Sequence, residues 1–340
     1  MIVLGIETSC DETSASVVED GVVKSNVISS QLVHSRFGGV VPELASRVHQ
    51  KRIVGVVEEA LGSAAVRKED LDGVAATHGP GLAGALLVGL CFGKALAYGL
   101  EVPFVGVNHM EGHLYSNLLV AEKPGFPFLS LIVSGGHTML VHVEQQFRHR
   151  LLGQTRDDAA GEAFDKVAKM LGLGYPGGPL IDSLAKGGNP HAIDFPRSYL
   201  DDRKYEFSFS GIKTAVLYYL KRSGLDEIDT SAGAGDRRHI ADICASFQES
   251  IVDVLVAKTI AAAREVGVRD ITMAGGVSAN SRLREMMSRE ASRIGCRLFT
   301  PPLEYCMDNG AMIAYVGWMR LVAGDRAMLD IPAVANLELT

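Results

Sequence analysis

The spacing of apolar residues predicts a chain that alternates between strands and helices. Short, nearly continuous apolar runs predict strands, and segments with an apolar residue every three to four positions predict helices. In the first part of the chain the predicted strands are 2–6, 15–19, 22–28, 73–77 and 102–107. The predicted helices there are 44–61, 82–100 and one that begins near Asn108. Pro42 and Gly62 bracket the first of these helices, in the positions that such residues favour.

The pattern begins again after a short segment rich in proline and glycine. Pro124, Gly125 and Pro127 make this segment the best candidate for a domain boundary. Strands are then predicted at 128–133, 138–143 and 271–273, a surface loop at 223–238, and helices at 160–171, 178–185, 212–222, 239–266, 278–294 and 308–322. Because a strand, a turn and a second strand open both halves, we expect two related α/β domains with a cleft between them.

Composition narrows the class of protein. The chain has 340 residues, of which 47% are hydrophobic and 21% charged, and this length suits two domains at roughly 150 residues each. Five scattered cysteines without a CxxC motif favour a reducing compartment, hence the cytoplasm. The N-terminus lacks the pattern of a signal peptide, and we expect no membrane association. A net charge of −7 opposes general nucleic-acid binding, so RNA contact would need local basic patches or a partner.

Two histidines four residues apart are the sharpest chemical signal. In the sequence HMEGH, His109 and His113 share one face of a predicted helix and can bind one metal ion together. The motif is not HExxH, because Met110 follows His109, so the geometry of a zinc metalloprotease is missing. The alternative interpretation is a pair of unrelated surface or capping histidines.

Glycine-rich turns and one acidic turn are the other chemical signals. The glycine-rich turns are 133–138, 175–179 and 274–280. Glycine lets the backbone approach a phosphate or ribose, and N–H groups at a helix start favour an anion. Strands also end in glycine for packing reasons, but three such turns together favour a nucleotide site. The turn at 7–14, dense in hydroxyls and acids, predicts either a phosphate or metal–phosphate loop or a polar hairpin tip.

Ten stretches in order along the chain resemble the TsaD family of bacterial tRNA N6-adenosine threonylcarbamoyltransferases, once labelled O-sialoglycoprotein endopeptidases. They are GIETSCDET, GGVVPELASR, GPGLAGALLVG, HMEGH, IVSGGHT, DDAAGEAFDK, YPGGP, FSFSGIKT, AGGVSANSRLR and CMDNGA. The resemblance implies an α/β fold of the actin/Hsp70/sugar-kinase type, with two ribonuclease-H-like domains around a central cleft. The expected domains are 1–125, joined by the C-terminal helix 308–340, and 126–307.

The resemblance also implies the site residues. His109, His113 and Asp308 would bind one divalent metal ion per subunit, iron or zinc, and magnesium would accompany bound nucleotide. The nucleotide part of threonylcarbamoyl-AMP would be held by Ile132, Val133, Ser134, Gly135, Gly136, Asp165, Gly178, Asp182 and Asn280. Within that set, Asp182 or Asp165 would contact ribose hydroxyls, and the turn at 275–276 would lie beneath the adenine.

The implied reaction is acyl transfer with AMP as the leaving group. The N6 amine of the adenosine 3′ of the anticodon, in tRNAs that read A-starting codons, attacks the carbamoyl carbonyl. An aromatic amine is a poor nucleophile, so positioning and polarisation of the electrophile should supply most of the catalysis. Asp11 matches a family acid, and we expect it to accept or relay the amine proton. Its alternative role is to orient ligands.

The resemblance implies partners as well. Besides tRNA, these are a TsaB-type paralogue, a TsaE-type ATPase and a TsaC/Sua5-type enzyme that supplies the intermediate. The helix at 44–61 is a candidate interface for the paralogue, although its apolar stripe also suits the core. Basic residues on or beside this helix either contact tRNA phosphates or form a solvated face. They are Arg36, Arg47, Lys51 and Arg52.

Three other functions compete with the transferase interpretation. A sugar or acetate kinase would share the fold and the glycine turns, but it gives no reason for HMEGH with a distant Asp308. A metalloprotease would need the absent HExxH. A non-catalytic scaffold related to TsaB would be expected to lack the His109, His113 and Asp308 set. The transferase interpretation therefore fits the sequence best.

Overall fold

The computed structural model describes residues 1–31, 34, 39–198, 204–224 and 234–339. The described chain divides into two compact units. Unit 1 comprises Met1–Lys123 and Pro301–Leu339, and unit 2 comprises Pro124–Thr300. The end of the chain thus returns to the unit in which the chain begins.

Unit 1 is built on a mixed five-stranded sheet. Its strands are β1 (Ile2–Glu7), β2 (Glu12–Glu19), β3 (Val22–Ser30), β4 (Gly73–Gly79) and β5 (Phe104–Asn108). They lie in the order β3-β2-β1-β4-β5, with β1–β2–β3 antiparallel and β1, β4 and β5 parallel. Its helices are α1 (Pro42–Ser63), α2 (Ala83–Leu100), α3 (His109–Tyr115) and α9 (Gly310–Val322).

The two faces of the unit 1 sheet are buried by different helices. Successive residues of a strand point to opposite faces, and Leu4 and Ile6 of β1 belong to one core with Ile53 of α1 and Leu90 of α2. On the other face, a side chain at Gly5 would lie 2.2 Å from the backbone nitrogen of Ala314 in α9. Helix α9 therefore packs almost backbone to backbone on β1, which fixes the residues that precede it against the sheet.

Unit 2 repeats this architecture. Its strands are β6 (Phe128–Val133), β7 (Thr138–Gln145), β8 (Arg148–Gln154), β9 (Asp270–Ala274) and β10 (Arg297–Phe299), and they lie in the order β10-β9-β6-β7-β8. The remaining helices are α4 (Ala160–Met170), α5 (Gly177–Ala185), α6 (Ser210–Arg222), α7 (Ala234–Val266) and α8 (Ser281–Arg293). Leu129, Leu131 and Val133 of β6 pack into a core that includes Phe164 of α4 and Phe247 of α7.

The predicted duplication is confirmed, with corrections at several boundaries. Each sheet has an antiparallel three-stranded meander followed by two parallel strands. The prediction missed β8 and β10. Helix α8 begins at Ser281 rather than at 278, because 276–279 forms a 3-10 turn and the Asn280 side chain accepts the Leu283 N–H as an N-cap. Helix α9 begins at Gly310, so Asp308 precedes the helix.

The predicted loop at 223–238 needs a correction at its C-terminal end. Helix α7 begins at Ala234, five residues before its predicted start at 239. Residues 225–233 of the predicted loop lie outside the described residues.

Helix α2 is the one described helix that is long and apolar enough to cross a membrane by length and composition. Its inner face, which includes Leu86 and Leu90, is buried in unit 1. The helix packs against β4 and α1. It is thus an integral part of the unit 1 fold.

Candidate metal centre and nucleotide site

Helix α3 presents the two histidines. The Asn108 side chain caps the helix by accepting the backbone N–H of Met110 at 2.8 Å, so the helix begins at His109. Residues four apart then lie on the same face. The imidazole rings of His109 and His113 consequently sit with centroids 4.8 Å apart, and both side chains are buried.

Asp308 lies opposite the two imidazoles, just before α9. Its Oδ1 atom is 3.1 Å from Nε2 of His113 and 3.5 Å from Nε2 of His109. One ligand atom from each of the three residues lies within 4.8 Å of the others. Two imidazole nitrogens and a carboxylate oxygen form a donor set that suits zinc or iron. The three residues therefore form a cluster that can hold a metal ion, the set that the family resemblance implies.

The electrostatics of His109 fit a cation at this position. Burial by itself lowers the pKa of His109, but the carboxylates of Asp308 and Glu7 outweigh it and raise this pKa to about 9. A protein site that stabilises positive charge on the imidazole stabilises a bound cation for the same reason.

A buried ion pair anchors α3. Glu111, between the two histidines, is 4% exposed and accepts two bonds from Nη2 of Arg320 in α9, at 2.7 and 2.8 Å. The pair joins the helix that carries the histidines to the helix that follows Asp308. Since one partner alone would be a buried unpaired charge, the pair strongly favours this packing.

The turn between β1 and β2 brings acidic groups near the cluster. Burial, followed by the nearby carboxylates of Asp308 and Asp11, raises the pKa of Glu12 well above its usual range. His49 of α1 holds the turn on both sides of Asp11, because its Nε2 lies 2.9 Å from the Cys10 carbonyl oxygen and its Nδ1 lies 2.8 Å from Thr13 Oγ1. The turn is thereby fixed on unit 1, with the Asp11 carboxylate close enough to Glu12 to raise the pKa of that group.

The corresponding turn of unit 2, between β6 and β7, is open. Ile132 and Val133 are buried strand residues, and Ser134 accepts the Gly161 N–H at 3.2 Å through its carbonyl oxygen. Side chains added at Gly135 or Gly136 would meet nothing within 4 Å. Gly275, at φ +85°, would place a side chain 2.3 Å from the Val133 carbonyl oxygen. The two glycine turns are therefore in direct contact, with free space above Gly135 and Gly136.

The other predicted nucleotide residues lie around the starts of α5 and α8. Asp165 accepts the Gly177 N–H at 2.7 Å, and a side chain at Gly178 would meet open space. Asp182 accepts the Ser281 hydroxyl at 2.7 Å, one residue beyond Asn280. Each of these residues belongs to unit 2, and the side chains of Asp165, Asp182 and Asn280 already make structural hydrogen bonds.

Each region has a supporting residue whose contact the sequence does not predict. Glu7 lies 2.9 Å from His109 Nδ1, and Gln248 accepts the Asn280 amide at 2.7 Å. A charged residue at the end of an apolar strand was the available signal for Glu7. Nothing in the sequence connects Gln248 with Asn280.

The basic residues near α1 have mixed surroundings. Arg47 pairs with Glu43 on the surface at 2.6 Å, and Lys51 is exposed. Arg52 donates to the Ser29 hydroxyl at 2.6 Å, so it ties α1 to β3. Arg36 lies outside the described residues.

The two duplicated sheets and their helices define an α/β protein of the actin/Hsp70/sugar-kinase type. Solved structures with this fold are similar over most of the chain. The (R)-2-hydroxyglutaryl-CoA dehydratase component A of Acidaminococcus fermentans matches 95% of this chain and 99% of its own, with TM-score 0.53 and 17% identity. HypF of T. kodakarensis matches 95% of this chain and 48% of its own, with TM-score 0.60 and 15% identity. At these identities the likeness shows the fold alone.

Comparison of amino-acid sequences distinguishes among the protein families that share this fold. The family model for TsaD, tRNA N6-adenosine threonylcarbamoyltransferase, matches residues 21–315. A relative from Salinibacter ruber that bears this enzyme name is 54% identical over 340 residues, covering 100% of both chains. One from Ralstonia pickettii is 50% identical over 332 residues, covering 97% of this chain and 94% of its own. The chain belongs to the TsaD family of transferases.

Proposed function

We propose that this protein transfers the threonylcarbamoyl group from threonylcarbamoyl-AMP to N6 of the adenosine 3′ of the anticodon, in tRNAs that read A-starting codons. The product is N6-threonylcarbamoyladenosine, and AMP leaves. The observation that carries the proposal is the His109, His113 and Asp308 cluster, present in a chain of the TsaD family. On this proposal the two compact units are the two ribonuclease-H-like domains.

The proposed metal site lies wholly in unit 1. His109, His113 and Asp308 would hold one divalent ion, iron or zinc, since two imidazoles and a carboxylate suit both. When bound, the ion supplies Lewis-acid polarisation of a carbonyl or phosphate oxygen. The protein's own contribution is geometric: the Asn108 cap and the Glu111–Arg320 pair hold the imidazoles in place before substrate arrives.

The proposed nucleotide site lies wholly in unit 2. The open backbone at Gly135, Gly136 and Gly178 leaves room for the nucleotide part of threonylcarbamoyl-AMP, with magnesium where ATP or ADP binds. The remaining members of this site would be Ile132, Val133, Ser134, Asp165, Asp182 and Asn280. Backbone N–H groups at helix starts favour a phosphate. The carboxylates of Asp165 and Asp182 can accept hydrogen bonds from ribose hydroxyls.

Asp11 is the proposed proton acceptor. As the N6 amine attacks the carbonyl, it must lose a proton, and a carboxylate held rigidly near the reacting atoms can take it. The Asp11 side chain is only partly buried, so it remains accessible. His49 fixes the turn on both sides of it, which supports a role that depends on position.

A transfer assay tests the function. Purified protein, loaded with iron or zinc, is incubated with synthetic threonylcarbamoyl-AMP, unmodified tRNA and the partner proteins, and modified nucleoside is measured by mass spectrometry. The wild type should form product, His109→Ala should not, and His142→Ala should behave as wild type. The ring nitrogens of His142 have no hydrogen-bond partner among the described residues. Removing the ring therefore leaves no other polar group without a partner. Absence of product with the wild type would refute the proposal.

Partners are proposed from the family and from one surface. They are tRNA, a TsaB-type paralogue, a TsaE-type ATPase and a TsaC/Sua5-type enzyme that makes the intermediate, all in the cytoplasm. The outward face of α2 is apolar, with Leu87 50% and Tyr98 76% exposed and Cys91 exposed between them. The outward face of α1 carries charged residues such as Arg47 and Lys51. Helix α2 is therefore the better candidate for the paralogue interface.

Sedimentation of the mixed proteins tests the interface. Leu87→Asp should prevent complex formation with the paralogue, because it places a charge in a face that the partner would bury. Glu69→Lys, an exposed change away from α2, should leave the complex intact. An intact complex with Leu87→Asp would exclude this surface.

A further inference from the structure

Glu7 is a buried carboxylate surrounded by hydrogen-bond donors. It is the last residue of β1, and its side chain is 0% exposed. Its Oε2 atom accepts the Thr77 hydroxyl at 2.7 Å and lies 2.9 Å from Nδ1 of His109, and its Oε1 atom accepts the Ser9 backbone N–H. A buried carboxylate is costly unless such bonds satisfy it, so the surroundings are built for an acceptor at this place.

The contact with Glu7 determines which nitrogen of His109 faces the cluster. A carboxylate can only accept, so Nδ1 must carry the proton and donate it. In a neutral imidazole the lone pair is then on Nε2. That atom is the one that faces Asp308, at 3.5 Å. The hydrogen bond therefore sets the tautomer and the ring orientation that metal binding requires.

The second histidine lacks this support. Nε2 of His113 also faces Asp308, but its buried Nδ1 has no hydrogen-bond partner among the described residues. The two imidazoles are therefore unequal: a carboxylate holds Nδ1 of His109, whereas Nδ1 of His113 is held by no hydrogen bond within the described part of the chain. Among the described residues, a supporting hydrogen bond to Nδ1 is thus present at His109 alone.

We propose that Glu7 is a positioning residue that orients His109 and strengthens metal binding. The inference rests on the proposed metal site of unit 1. Outer partners of metal-bound histidines contribute about 10–100-fold to metal affinity, and loss of Glu7 should cost an amount in this range. Thr77 and Ser9 in turn orient Glu7, which extends the support from β1 to β4.

The test measures metal affinity and ligand geometry without the reaction. Zinc affinity is measured by competition with a chromophoric chelator, and the geometry by the visible absorption spectrum of the cobalt-loaded protein. Glu7→Gln should bind zinc about 10–100-fold more weakly and change the cobalt spectrum. The amide keeps the shape of the side chain, but its NH2 group would face a donor, either the Ser9 N–H or the Thr77–His109 side.

A matched control separates orientation from stability. Asp270→Asn also removes a buried carboxylate, but Asp270 lies in unit 2 and pairs with Arg297 rather than with an imidazole. It should lower the thermal midpoint of unfolding while leaving zinc affinity within about two-fold. Thr77→Val, which removes one donor to Glu7 and keeps the carboxylate, should weaken zinc binding less than Glu7→Gln does. This variant keeps the inference testable if Glu7→Gln fails to fold.

Three results would overturn the inference. Zinc affinity and cobalt spectrum unchanged in Glu7→Gln, or in folded Thr77→Val where Glu7→Gln does not fold, would show that the contact positions nothing. Equal weakening in Asp270→Asn would show a general loss of stability. If the wild type itself binds no zinc, or binds it as well after His109→Ala, the metal site fails and the role of Glu7 fails with it. A failure confined to Glu7→Gln leaves the proposed transfer reaction standing.

Discussion

The two units share one strand order but differ at the turn that follows the first strand of each. In unit 1 the turn between β1 and β2 carries Asp11, and Glu7 and Glu12 flank it in a largely buried setting. In unit 2 the equivalent turn between β6 and β7 carries Gly135 and Gly136, which are exposed. The turn of unit 1 thus carries carboxylate groups, whereas the turn of unit 2 leaves its backbone open.

This difference shows how a duplicated fold divides its chemistry. Acidic groups beside the histidines of α3 favour a cation and a proton acceptor, whereas bare backbone favours close approach of a nucleotide. The same topology places both turns at the carboxyl ends of the parallel strands of their sheets, where ligands of open α/β sheets bind. On the proposed function, a few residues at equivalent positions of one architecture carry the difference between the two units.

The largest expected effect comes from the charged turn. Asp11→Asn should lower the transfer rate by about 10²–10⁴-fold if Asp11 accepts the proton, because a general base contributes this much. Binding of threonylcarbamoyl-AMP should change little. Single-turnover transfer and calorimetric binding check the two parts. Asp20→Asn, at an exposed position between β2 and β3, is the matched control. An unchanged transfer rate in Asp11→Asn would remove Asp11 from the chemistry.

A substitution at Gly275, in the glycine turn that contacts the end of β6, should lower the stability of the protein. Gly275→Val forces a side chain to within 2.3 Å of the Val133 carbonyl oxygen at a φ of +85°. Backbone strain and overpacking should together cost about 3 kcal/mol or more. Gly276→Ala, where a side chain would meet open space, should be nearly neutral. Chemical denaturation compares the two variants. Equal stability would show that the contact between the two glycine turns does not constrain unit 2.

A smaller, pH-dependent effect on stability is expected from Asp157 of unit 2, whose carboxylate accepts several hydrogen bonds. Burial alone would raise the pKa of Asp157, but bonds from the Ser208 hydroxyl, the Phe209 N–H and Ser210 outweigh it and lower this pKa. The stabilisation is therefore present above the unfolded pKa of about 3.9 and is lost as pH falls through the lower folded pKa.

Asp157→Asn tests this stabilisation. Because Asp157 is exposed and water screens its contacts, the variant should be only about 0.5–1 kcal/mol less stable than the wild type at pH 7. The difference should shrink as pH falls below about 3.9, where the carboxylate of the unfolded chain becomes protonated first and that of the folded protein follows at lower pH. Urea unfolding at both pH values checks this, and a difference that does not depend on pH would contradict it.

The hydrophobic pattern was sufficient to predict the duplicated architecture. It did not predict the elements in which polar side chains or short length hide the alternation of apolar and polar residues. Strand β8 opens with Arg148, His149 and Arg150, which hide the alternation of an edge strand. Strand β10 has three residues, too few for a period to appear. Boundaries at Asn280 and Asn309 depend on side-chain caps, which the apolar pattern does not report.

The candidate site was predictable only in its local parts. His109 and His113 lie four residues apart on one helix, so spacing alone predicts that they share a face. Asp308 lies 195 residues beyond His113 and was found through family resemblance. Glu7 and His49 act through contacts across the unit 1 fold, and no spacing in the sequence indicates such contacts.

The division between a charged turn and an open turn is tested most directly by nucleotide binding to metal-free protein. AMP is titrated calorimetrically into wild type, His113→Ala and Gly136→Val after dialysis against a chelator. The account predicts that His113→Ala binds AMP within about two-fold of wild type, and that Gly136→Val, which fills the open space, loses at least about ten-fold, near 1.4 kcal/mol. Comparable loss in both variants, or full binding by Gly136→Val, would contradict it.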